Sequence, residues 1–187
     1  MRIIAGKHKG RVLKEFKGDK IRPTSDRARE ALFNIFAQKI GGASFLDLFA
    51  GTGACGIEAL SRGAKRVVFT DISGESISLI NQNLQMIKES ASVIKTDGIN
   101  YLNSICDKFD FIFIDPPYKL DLGITALKII DSKNLLTPNG FAIFESDREV
   151  DVNLNSLVKI STRKYGKNHF NIYQNVSGEK VEVDNAE

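Results

Sequence analysis

The fold of this chain is decided by residues 45–60, FLDLFAGTGACGIEAL, which have the pattern of a buried β-strand, a glycine turn and a helix. The glycines Gly51, Gly53 and Gly56 match G-x-G-x-x-G, a turn whose backbone can approach a bound nucleotide closely. Asp71 ends the next apolar strand, twenty residues after Gly51, where a carboxylate can bind the two hydroxyls of a ribose. The stretch therefore predicts an adenosine-type cofactor at the ends of the strands.

From residue 44 onward, short apolar strands alternate with helical stretches. The strands are continuously apolar, which is typical of a parallel sheet covered by helices on both faces. The last two apolar runs have no helix between them and are predicted to pair as an antiparallel hairpin at the end of the sheet. The predicted strands are residues 44–50, 65–71, 92–97, 109–115, 140–146, 157–165 and 169–176, and the predicted helices lie near 54–63, 74–88, 98–106 and 122–132. The predicted fold class is α/β, with a Rossmann-like, mostly parallel sheet.

Residues 1–43 are predicted to add a β-hairpin and a helix to this sheet. Two short mixed runs flank the turn-prone GKHKG, which predicts a hairpin with basic residues at its tip. Thr24 or Ser25 can cap the following helix, and Gly41-Gly42 can end it. Its buried face is predicted from apolar residues spaced three and four apart, namely Ala28, Ala31, Leu32, Ile35 and Phe36.

A chain of 187 residues, 42% of them hydrophobic, is sized for one compact domain. Within it we distinguish the hairpin and covering helix at 1–43, the α/β domain at 44–176 and a flexible polar tail at 177–187. No apolar run approaches the ~20 residues that span a bilayer, so we expect no membrane association. Cys55 and Cys106 form no C-x-x-C pair, which predicts a metal-free protein of the reducing cytoplasm.

The basic residues are concentrated at the N-terminus. Residues 1–30 carry ten Lys or Arg against four acidic residues, whereas the whole chain has a net charge of +3. Such a basic arm is expected where a protein binds a polyanion such as nucleic acid, but a solvated basic face has the same composition. The candidate RNA contacts are Lys7, Lys9, Arg11, Arg22 and Arg27 in this arm, with Arg163 and Lys167 near the C-terminus.

Asp47 indicates which adenosine cofactor is expected. It lies four residues before Gly51, where its charge would repel the pyrophosphate of a dinucleotide. S-adenosylmethionine has no phosphate and carries a sulfonium and an ammonium, so it suits a carboxylate at this place. Asp97 ends the third strand and can accept a hydrogen bond from adenine, although a carboxylate there is usually a helix cap. The candidate cofactor-binding residues of these turns are Asp47, Phe49, Ala50, Gly51, Thr52, Gly53, Asp71, Ile72, Asp97 and Gly98.

The fourth strand ends abruptly at Asp115-Pro116-Pro117-Tyr118, on the same carboxyl edge of the predicted sheet. Pro117 restricts Pro116 to an extended conformation, so the Pro116 carbonyl is held stiffly outward. That carbonyl and the Asp115 side chain are adjacent acceptors that can bind both hydrogens of an exocyclic amine. Tyr118 supplies a flat face on which the base can stack. The tetrapeptide therefore predicts a catalytic clamp for methylation of a base amine.

Such a clamp meets a chemical requirement, because the lone pair of a base amine is delocalised into the ring. Two acceptors on the amine hydrogens turn the lone pair toward the methyl donor and stabilise positive charge on nitrogen in the transition state. Either Asp115 or water can then take the proton. A base within a helix must first be flipped out, at a cost that phosphate contacts of the basic arm can offset.

Four stretches together resemble one known family: DLFAGTGACGIEALSRGA, the end of VVFTD, DPPY and the N-terminal RPTSDRAREALFN. They are similar to the RsmD family of bacterial small-subunit ribosomal RNA guanine-N2 methyltransferases. The resemblance spans residues 1 to about 175. It implies the fold of a class I S-adenosylmethionine-dependent methyltransferase, with a seven-stranded sheet whose last strand is antiparallel.

The resemblance also implies a substrate and roles for individual residues. The implied acceptor is guanine 966 of 16S ribosomal RNA in an assembling small subunit. We expect the protein to act as a monomer. Asp47, Gly51 and Gly53 line the methionine end of the cofactor. Asp71 then binds the ribose, and Asp97 faces adenine. The segment RPTSDRAREALFN packs over the cofactor in the family, and its candidate contacts are Thr24, Arg29 and Asn34.

Two other functions are compatible with parts of the pattern. DPPY is shared with DNA adenine-N6 methyltransferases, but this chain has no evident target-recognition domain to read a base sequence. A non-catalytic module that binds nucleic acid or NAD could keep the fold, but it would not need the intact clamp or Asp47.

Overall fold

The computed structural model describes residues 1–16, 26–117 and 120–176. Within these ranges the chain forms five helices and one seven-stranded sheet. The helices are α1 (Asp26–Ile35), α2 (Ala54–Ser61), α3 (Gly74–Ile87), α4 (Gly98–Ser104) and α5 (Leu120–Ser132), and the strands are β1 (Ser44–Asp47), β2 (Arg66–Asp71), β3 (Ser92–Lys95), β4 (Phe109–Ile114), β5 (Leu136–Ser146), β6 (Leu157–Tyr165) and β7 (Asn168–Asn175). None of these described helices has the length and hydropathy that crossing a membrane requires.

The strands lie in the order β3-β2-β1-β4-β5-β7-β6. Strands β1 to β5 are parallel, and β7 runs antiparallel between β5 and β6. The strand order reverses between β1 and β4, and open α/β sheets bind ligands outside the carboxyl ends of the strands at such a point. The predicted α/β class, mostly parallel sheet and antiparallel C-terminal hairpin are confirmed.

Both faces of the sheet are buried, which explains why the strands are continuously apolar. Along β4, Phe111 packs in the layer formed with α1, α2 and α3, whereas its neighbour Ile112 packs with α4 and α5. The Phe111 ring stacks with Phe45 of β1 at 6.2 Å and with Phe141 of β5 at 5.5 Å between ring centroids. Each such fully buried phenyl contributes about 1.5–3 kcal/mol. Because successive side chains point to opposite faces of the sheet, this alternation also determines which face a residue at the end of a strand points to.

The N-terminal residues form the predicted hairpin, but as an irregular one with a single bridge between Arg2 and Val12. The amide of Ile3 donates to the carbonyl of Arg11 at 2.9 Å across the hairpin. Ile3 and Leu13 are buried in the same core as the sheet and α1. The hairpin therefore packs against the α/β layers, and the division of the chain at residue 43 stays a prediction.

Helix α1 differs from its prediction in length and in the face it buries. It ends at Ile35, and Gly41-Gly42 lie in a later turn. Ile35 is 42% exposed, whereas the unpredicted Phe33 is buried and its ring stacks on Phe45 at 6.0 Å. The helix is oriented so that Phe33 packs on Phe45 of β1 and Ile35 faces solvent. Of the predicted face, Ala28, Leu32 and Phe36 are buried and Ala31 is half-buried.

Two further predictions concern residues outside the described ranges. These are the helix cap at Thr24 or Ser25 and the tail at 177–187.

Candidate active site

Three acidic side chains, called the acidic row below, lie at the carboxyl ends of adjacent strands. Asp47 ends β1, Asp115 directly follows β4, and Glu145 is the penultimate residue of β5. Each stands two residues after a side chain of the α1–α3 layer, so the strand alternation turns all three carboxylates toward that layer. The described residues hold no group of three or more His, Cys, Asp or Glu side chains that could bind a metal ion.

Asp47 is buried beneath the glycine turn. Its Oδ2 accepts a hydrogen bond from the amide of Gly56 at 2.9 Å, at the start of α2. Burial raises the pKa of Asp47 to about 7, the Gly56 hydrogen bond lowers it, and the negative charge of Asp71 raises it. Asp47 is therefore balanced between its neutral and ionised forms near neutral pH, and a cation bound beside it would favour the carboxylate.

Asp115 is partly exposed, and its environment disfavours a negative charge. Burial of the carboxyl group raises the pKa of Asp115 well above its ordinary value, and the charges of Glu145 and Asp47 raise it further. Pro116 is buried, and Pro117 is exposed. Tyr118, the last predicted member of the clamp, lies outside the described residues. The arrangement makes Asp115 a stronger base than a solvated carboxylate.

The glycine turn is open on its outer side. Gly51 and Gly53 have φ angles of 52° and 76°, in the left-handed region that favours glycine. A Cβ built on Gly51 would meet no atom within 4 Å, so this backbone faces open space. The Gly51 amide donates to Asp71 Oδ2 at 2.8 Å, and Asp71 Oδ1 accepts from the Ser73 amide at 2.8 Å. Asp71 thus orders the turn and the start of α3 together.

Two further predicted residues of this turn point elsewhere. Ala50 is buried, and its amide donates to the carbonyl of Thr70 at 2.9 Å. The side chain of Thr52 is also buried, with its hydroxyl 3.6 Å from the sulfur of Met1. Only their backbone can therefore line the open side of the turn.

Four further predicted cofactor residues, Phe49, Ile72, Asp97 and Gly98, lie just after β1, β2 and β3. Ile72 is 69% exposed directly after β2, which is unusual for a large apolar side chain next to a buried strand. Phe49 packs so closely on Gly98 that a Cβ there would lie 2.6 Å from its ring. Asp97 caps α4, with its Oδ1 accepting from the Asn100 amide at 3.0 Å.

Arg29 lies buried on α1. Its Nη2 donates to the carbonyl of Arg2 at 2.6 Å and to Asp26 at 3.0 Å, and its Nε lies 4.0 Å from Glu58 Oε2. Its Nε and Nη1 have no hydrogen-bond partner among the described residues. Burial raises the pKa of the Cys55 thiol well above its ordinary value, and the charge of Arg29 opposes this. The guanidinium therefore lies beside Glu58, in the middle of α2.

The structure does not bring all the predicted residues to this edge. Asn34 is exposed and accepts from Arg62 Nη1 at 3.4 Å, at the C-terminal end of α2 and thus at the opposite edge of the sheet. Thr24 lies outside the described residues. Asn34 and the glycine turn are therefore separated by the length of α2.

The predicted RNA contacts divide between the two edges. Exposed Arg163 and Lys167 lie near the β6–β7 turn, which stands beyond the carboxyl end of β5 because Ser146 pairs with His169. By contrast, the amide of Lys7 donates to the carbonyl of Ser61 at 2.8 Å, at the end of α2.

The other basic residues of the arm have mixed environments. Lys9, Arg11 and Arg27 are exposed, and Arg11 Nη1 donates to the carbonyl of Met86 at 3.1 Å. Arg22 lies outside the described residues. Contact with RNA stays a prediction for this whole set.

Glu145 and Asn168 were not predicted from the sequence. The side chain of Glu145 is buried, and Asn168 Nδ2 donates to its Oε1. A usable signal was present, since Glu145 lies at the end of the fifth apolar run as Asp71 and Asp115 lie at the ends of theirs. Asn168 had no such signal, because its neighbour comes from another strand.

The sequence profile of the family described as Conserved hypothetical protein 95 matches residues 1–174. The putative rRNA methyltransferase YlbH of Bacillus subtilis is 37% identical over 181 residues, covering 93% of this chain and 98% of YlbH. The ribosomal RNA small subunit methyltransferase D of Haemophilus influenzae is 36% identical over 154 residues, covering 80% of each chain.

Solved structures share the architecture. The putative methyltransferase yhhF from Escherichia coli has a TM-score of 0.84 at 30% identity, covering 94% of this chain and 97% of that chain. The 16S rRNA N2 G1207 methyltransferase RsmC of Thermus thermophilus, solved with AdoMet and guanosine, has a TM-score of 0.66 at 21% identity, covering 86% and 44%. The second likeness concerns the fold alone, that of a class I methyltransferase. The profile match and the two relatives go further, and by them this chain belongs to the RsmD/YlbH family of methyltransferases.

Proposed function

We propose that the protein transfers a methyl group from S-adenosylmethionine to the exocyclic N2 amine of one guanine in 16S ribosomal RNA, with guanine 966 as the target. One observation carries the proposal. Asp115-Pro116 follows β4, and Asp47 with the glycine turn above it ends the neighbouring β1, at the point where the strand order reverses. The names of the relatives support ribosomal RNA as the substrate. A ribosomal substrate implies action in the cytoplasm, and we propose that one chain is sufficient because these residues come from one chain.

The cofactor side of this edge fits S-adenosylmethionine. Open space lies over Gly51, and a cation beside Asp47 would keep that carboxyl group ionised at neutral pH. Exposed Ile72 would offer the adenine ring an apolar surface. Asp71, which accepts from the Gly51 amide, would accept from the ribose hydroxyls. The cofactor supplies an electrophilic methyl group, and its sulfur keeps the electron pair of the bond that breaks.

The acceptor side fits a planar amine. Asp115 and the Pro116 carbonyl bind the two amine hydrogens and so direct the nitrogen lone pair toward the methyl carbon. The nitrogen gains a bond to carbon and must then lose a proton. The raised pKa of Asp115 makes its carboxylate a suitable proton acceptor, from which the proton can pass to water.

Among the described residues, we propose the β6–β7 turn as the part that holds the RNA. Arg163, Lys164 and Lys167 are exposed there, at the same edge as Asp115. Contacts of these cations with phosphates would position the flipped base without reading its sequence. The target is then chosen by the shape of the small subunit and by the pocket.

The test is transfer of labelled methyl groups to small subunits from a strain that lacks this protein. Nucleoside mass analysis of the product is expected to give N2-methylguanosine, and mapping is expected to place it at position 966. N6-methyladenosine would contradict the proposal and favour the adenine-N6 alternative. Calorimetry should detect binding of S-adenosylmethionine, and binding of NAD alone would contradict the cofactor assignment.

A further inference from the structure

We infer that Glu145 accepts the N1–H group of the target guanine and thereby selects guanine over adenine. The inference rests on the proposed function and identifies the part of the site that distinguishes the bases. Asp115 and the Pro116 carbonyl recognise an exocyclic amine, which both guanine and adenine carry. A further group must therefore make the distinction, and it must lie beside the amine clamp.

Glu145 has this position because of the sheet register. Strands β4 and β5 are parallel and pair Ile114 with Phe144, the residues that precede the two acids. Asp115 and Glu145 are thus the next pair along the strands, with backbones about 4.8 Å apart. Two carboxylates at this spacing and on the same face can reach neighbouring groups on the edge of one flat base.

The Glu145 carboxylate is also held in place. Glu145 is 7% exposed, and Asn168 Nδ2 donates a hydrogen bond to its Oε1. Asn168 begins β7, directly after the turn that carries Lys167. An acceptor held between two strands keeps its direction when the base arrives, which is a requirement for selecting one hydrogen-bonding pattern.

The charges around Glu145 favour a ligand that donates hydrogen bonds. Asp47, Asp115 and Glu145 are all acidic, and burial together with this repulsion raises the pKa of Asp115. A carboxylate in such surroundings costs stability, so a side chain needed only for packing would be better neutral. The N1–H and N2 amine groups of guanine supply three hydrogens to this row and relieve the repulsion.

Guanine and adenine differ at the atom that Glu145 would meet. Guanine N1 carries a hydrogen, whereas adenine N1 is a bare acceptor whose lone pair a carboxylate repels. Sites built to accept a hydrogen bond reject analogues that lack the donor far more strongly than apolar pockets reject a missing methyl group. A carboxylate on N1–H also moves electron density into the ring and so strengthens the neighbouring amine as a nucleophile.

The test replaces the target guanine by 2-aminopurine, which keeps the 2-amine but has a bare acceptor at N1. Small subunits are reconstituted with 16S RNA carrying either base at the position that the wild-type protein methylates, and kcat/KM is measured for each. Wild-type protein is expected to prefer guanine by roughly 100-fold or more. In Glu145→Gln the amide can donate to the bare N1, so the preference is expected to fall at least about tenfold.

Two variants complete the experiment. Glu149→Gln removes a carboxylate from the exposed surface, where Glu149 pairs with Lys159, and is expected to leave the preference unchanged. Asn168→Ala keeps the Glu145 charge but releases it, and is expected to lower kcat/KM for guanine about tenfold with less effect on 2-aminopurine. Thermal unfolding followed by circular dichroism verifies that each variant is folded. If Glu145→Gln does not fold, the result for Asn168→Ala alone tests the inference.

The outcomes separate the inference from the function on which it rests. An unchanged preference in folded Glu145→Gln and Asn168→Ala overturns the inference and leaves guanine methylation standing. Absence of N2-methylguanosine with the wild-type protein overturns the proposed function and the inference together.

Discussion

Two basic hairpins lie at opposite ends of the strands, and only the one at the carboxyl ends is next to Asp47, Asp115 and Glu145. The N-terminal hairpin, residues 1–16, has its tip at the C-terminal end of α2, where Lys7 contacts Ser61. The C-terminal hairpin, formed by β6 and β7, turns at Gly166 beyond the carboxyl end of β5. Both tips combine glycine with lysine. Basic composition therefore indicates a nucleic-acid surface only after the fold has placed it.

The cations of the two tips also differ in their surroundings. Lys7 Nζ lies 2.7 Å from Glu89 Oε1, and His8 Nε2 lies 2.6 Å from the same atom. In the described part of the chain, neither Arg163 nor Lys167 forms a salt bridge. The N-terminal tip is thus partly neutralised, whereas among the described residues the charges of Arg163 and Lys167 are not paired in a salt bridge.

Each hairpin is anchored by one buried carboxylate. Glu58 of α2 accepts from the amides of Ile4 and Ala5 at 2.8 and 3.0 Å. Asp131 of α5 accepts from the amide of Ser156 at 2.8 Å, just before β6 begins. Since the anchors are alike, the difference between the hairpins comes from the edge of the sheet that each tip reaches.

The largest expected effect tests whether catalysis takes place at the carboxyl ends of the strands, next to the C-terminal hairpin. Asp115→Ala removes one acceptor of the clamp and is expected to lower kcat roughly 1,000-fold. The Kd of S-adenosylmethionine, measured by calorimetry, should stay within about twofold because the glycine turn is untouched. Turnover like that of the wild type would remove Asp115 from the mechanism.

The next effect compares the two anchors. Asp131→Ala and Glu58→Ala each leave several buried donors unpaired and are expected to lower the free energy of unfolding by about 2–4 kcal/mol. Urea denaturation at pH 7 measures the loss, with exposed Asp151→Ala as the control. Losses no larger than in the control would mean that the hairpins are held by apolar packing instead.

The contribution of Asp131 has a defined pH dependence. Burial acts to raise the pKa of Asp131, but hydrogen bonds from Asn155, Ser156 and Leu157 outweigh it, so the pKa is lowered. A lowered pKa adds stability above the ordinary value of 3.8, and this stability is lost as the pH falls through the folded-state pKa. The difference between wild type and Asp131→Ala should therefore shrink below pH 3.8.

A smaller effect concerns the cofactor half of the same edge. Asp47 has a pKa of about 7, and a cationic cofactor binds its ionised form better. The affinity for S-adenosylmethionine should therefore rise with pH, by roughly 20-fold between pH 5.5 and 7.5, a range in which an α-amino group keeps most of its charge. Calorimetry on Asp47→Asn, which cannot ionise, should give weaker binding and a flat profile. A rise that persists in this variant would assign the titration to another group.

The smallest effect compares the two tips directly. Arg163→Ala/Lys167→Ala is expected to raise KM for small subunits about tenfold and to flatten its dependence on salt, since two phosphate contacts are lost. Lys7→Ala/Lys9→Ala removes the same charge at the other edge and is expected to change KM less than about twofold. The reverse order of effects would move the RNA surface to the N-terminal hairpin.

Local features of the site could be predicted because neighbouring residues determine them. Gly51 and Asp71 were both identified from the strand, turn and helix pattern that contains them, and the structure adds the hydrogen bond between them. The environments of Asn34 and Lys7 depend on where α1 and the N-terminal hairpin dock. Nothing within either segment specifies that both meet the far end of α2, so they were grouped with the site.

The buried face of α1 shows the same limit. Apolar spacing predicted a helix with one buried stripe, and Ala28 and Leu32 are buried as expected. The stripe includes Phe33 rather than Ile35, because packing against Phe45 of β1 sets the rotation of the helix. Periodicity constrains the width of a buried face, whereas the partner surface sets its centre.

By itself, the sequence determined the α/β class, the family and the acids at the ends of β1 to β4, because these depend on short stretches whose hydrophobicity and spacing act locally. Only the tertiary structure decided that Asp115 and Glu145 are neighbours, that Asn168 holds Glu145, and that the two basic hairpins lie at opposite edges. The order of strands in the sheet places distant residues side by side, and that order results from packing across the whole domain.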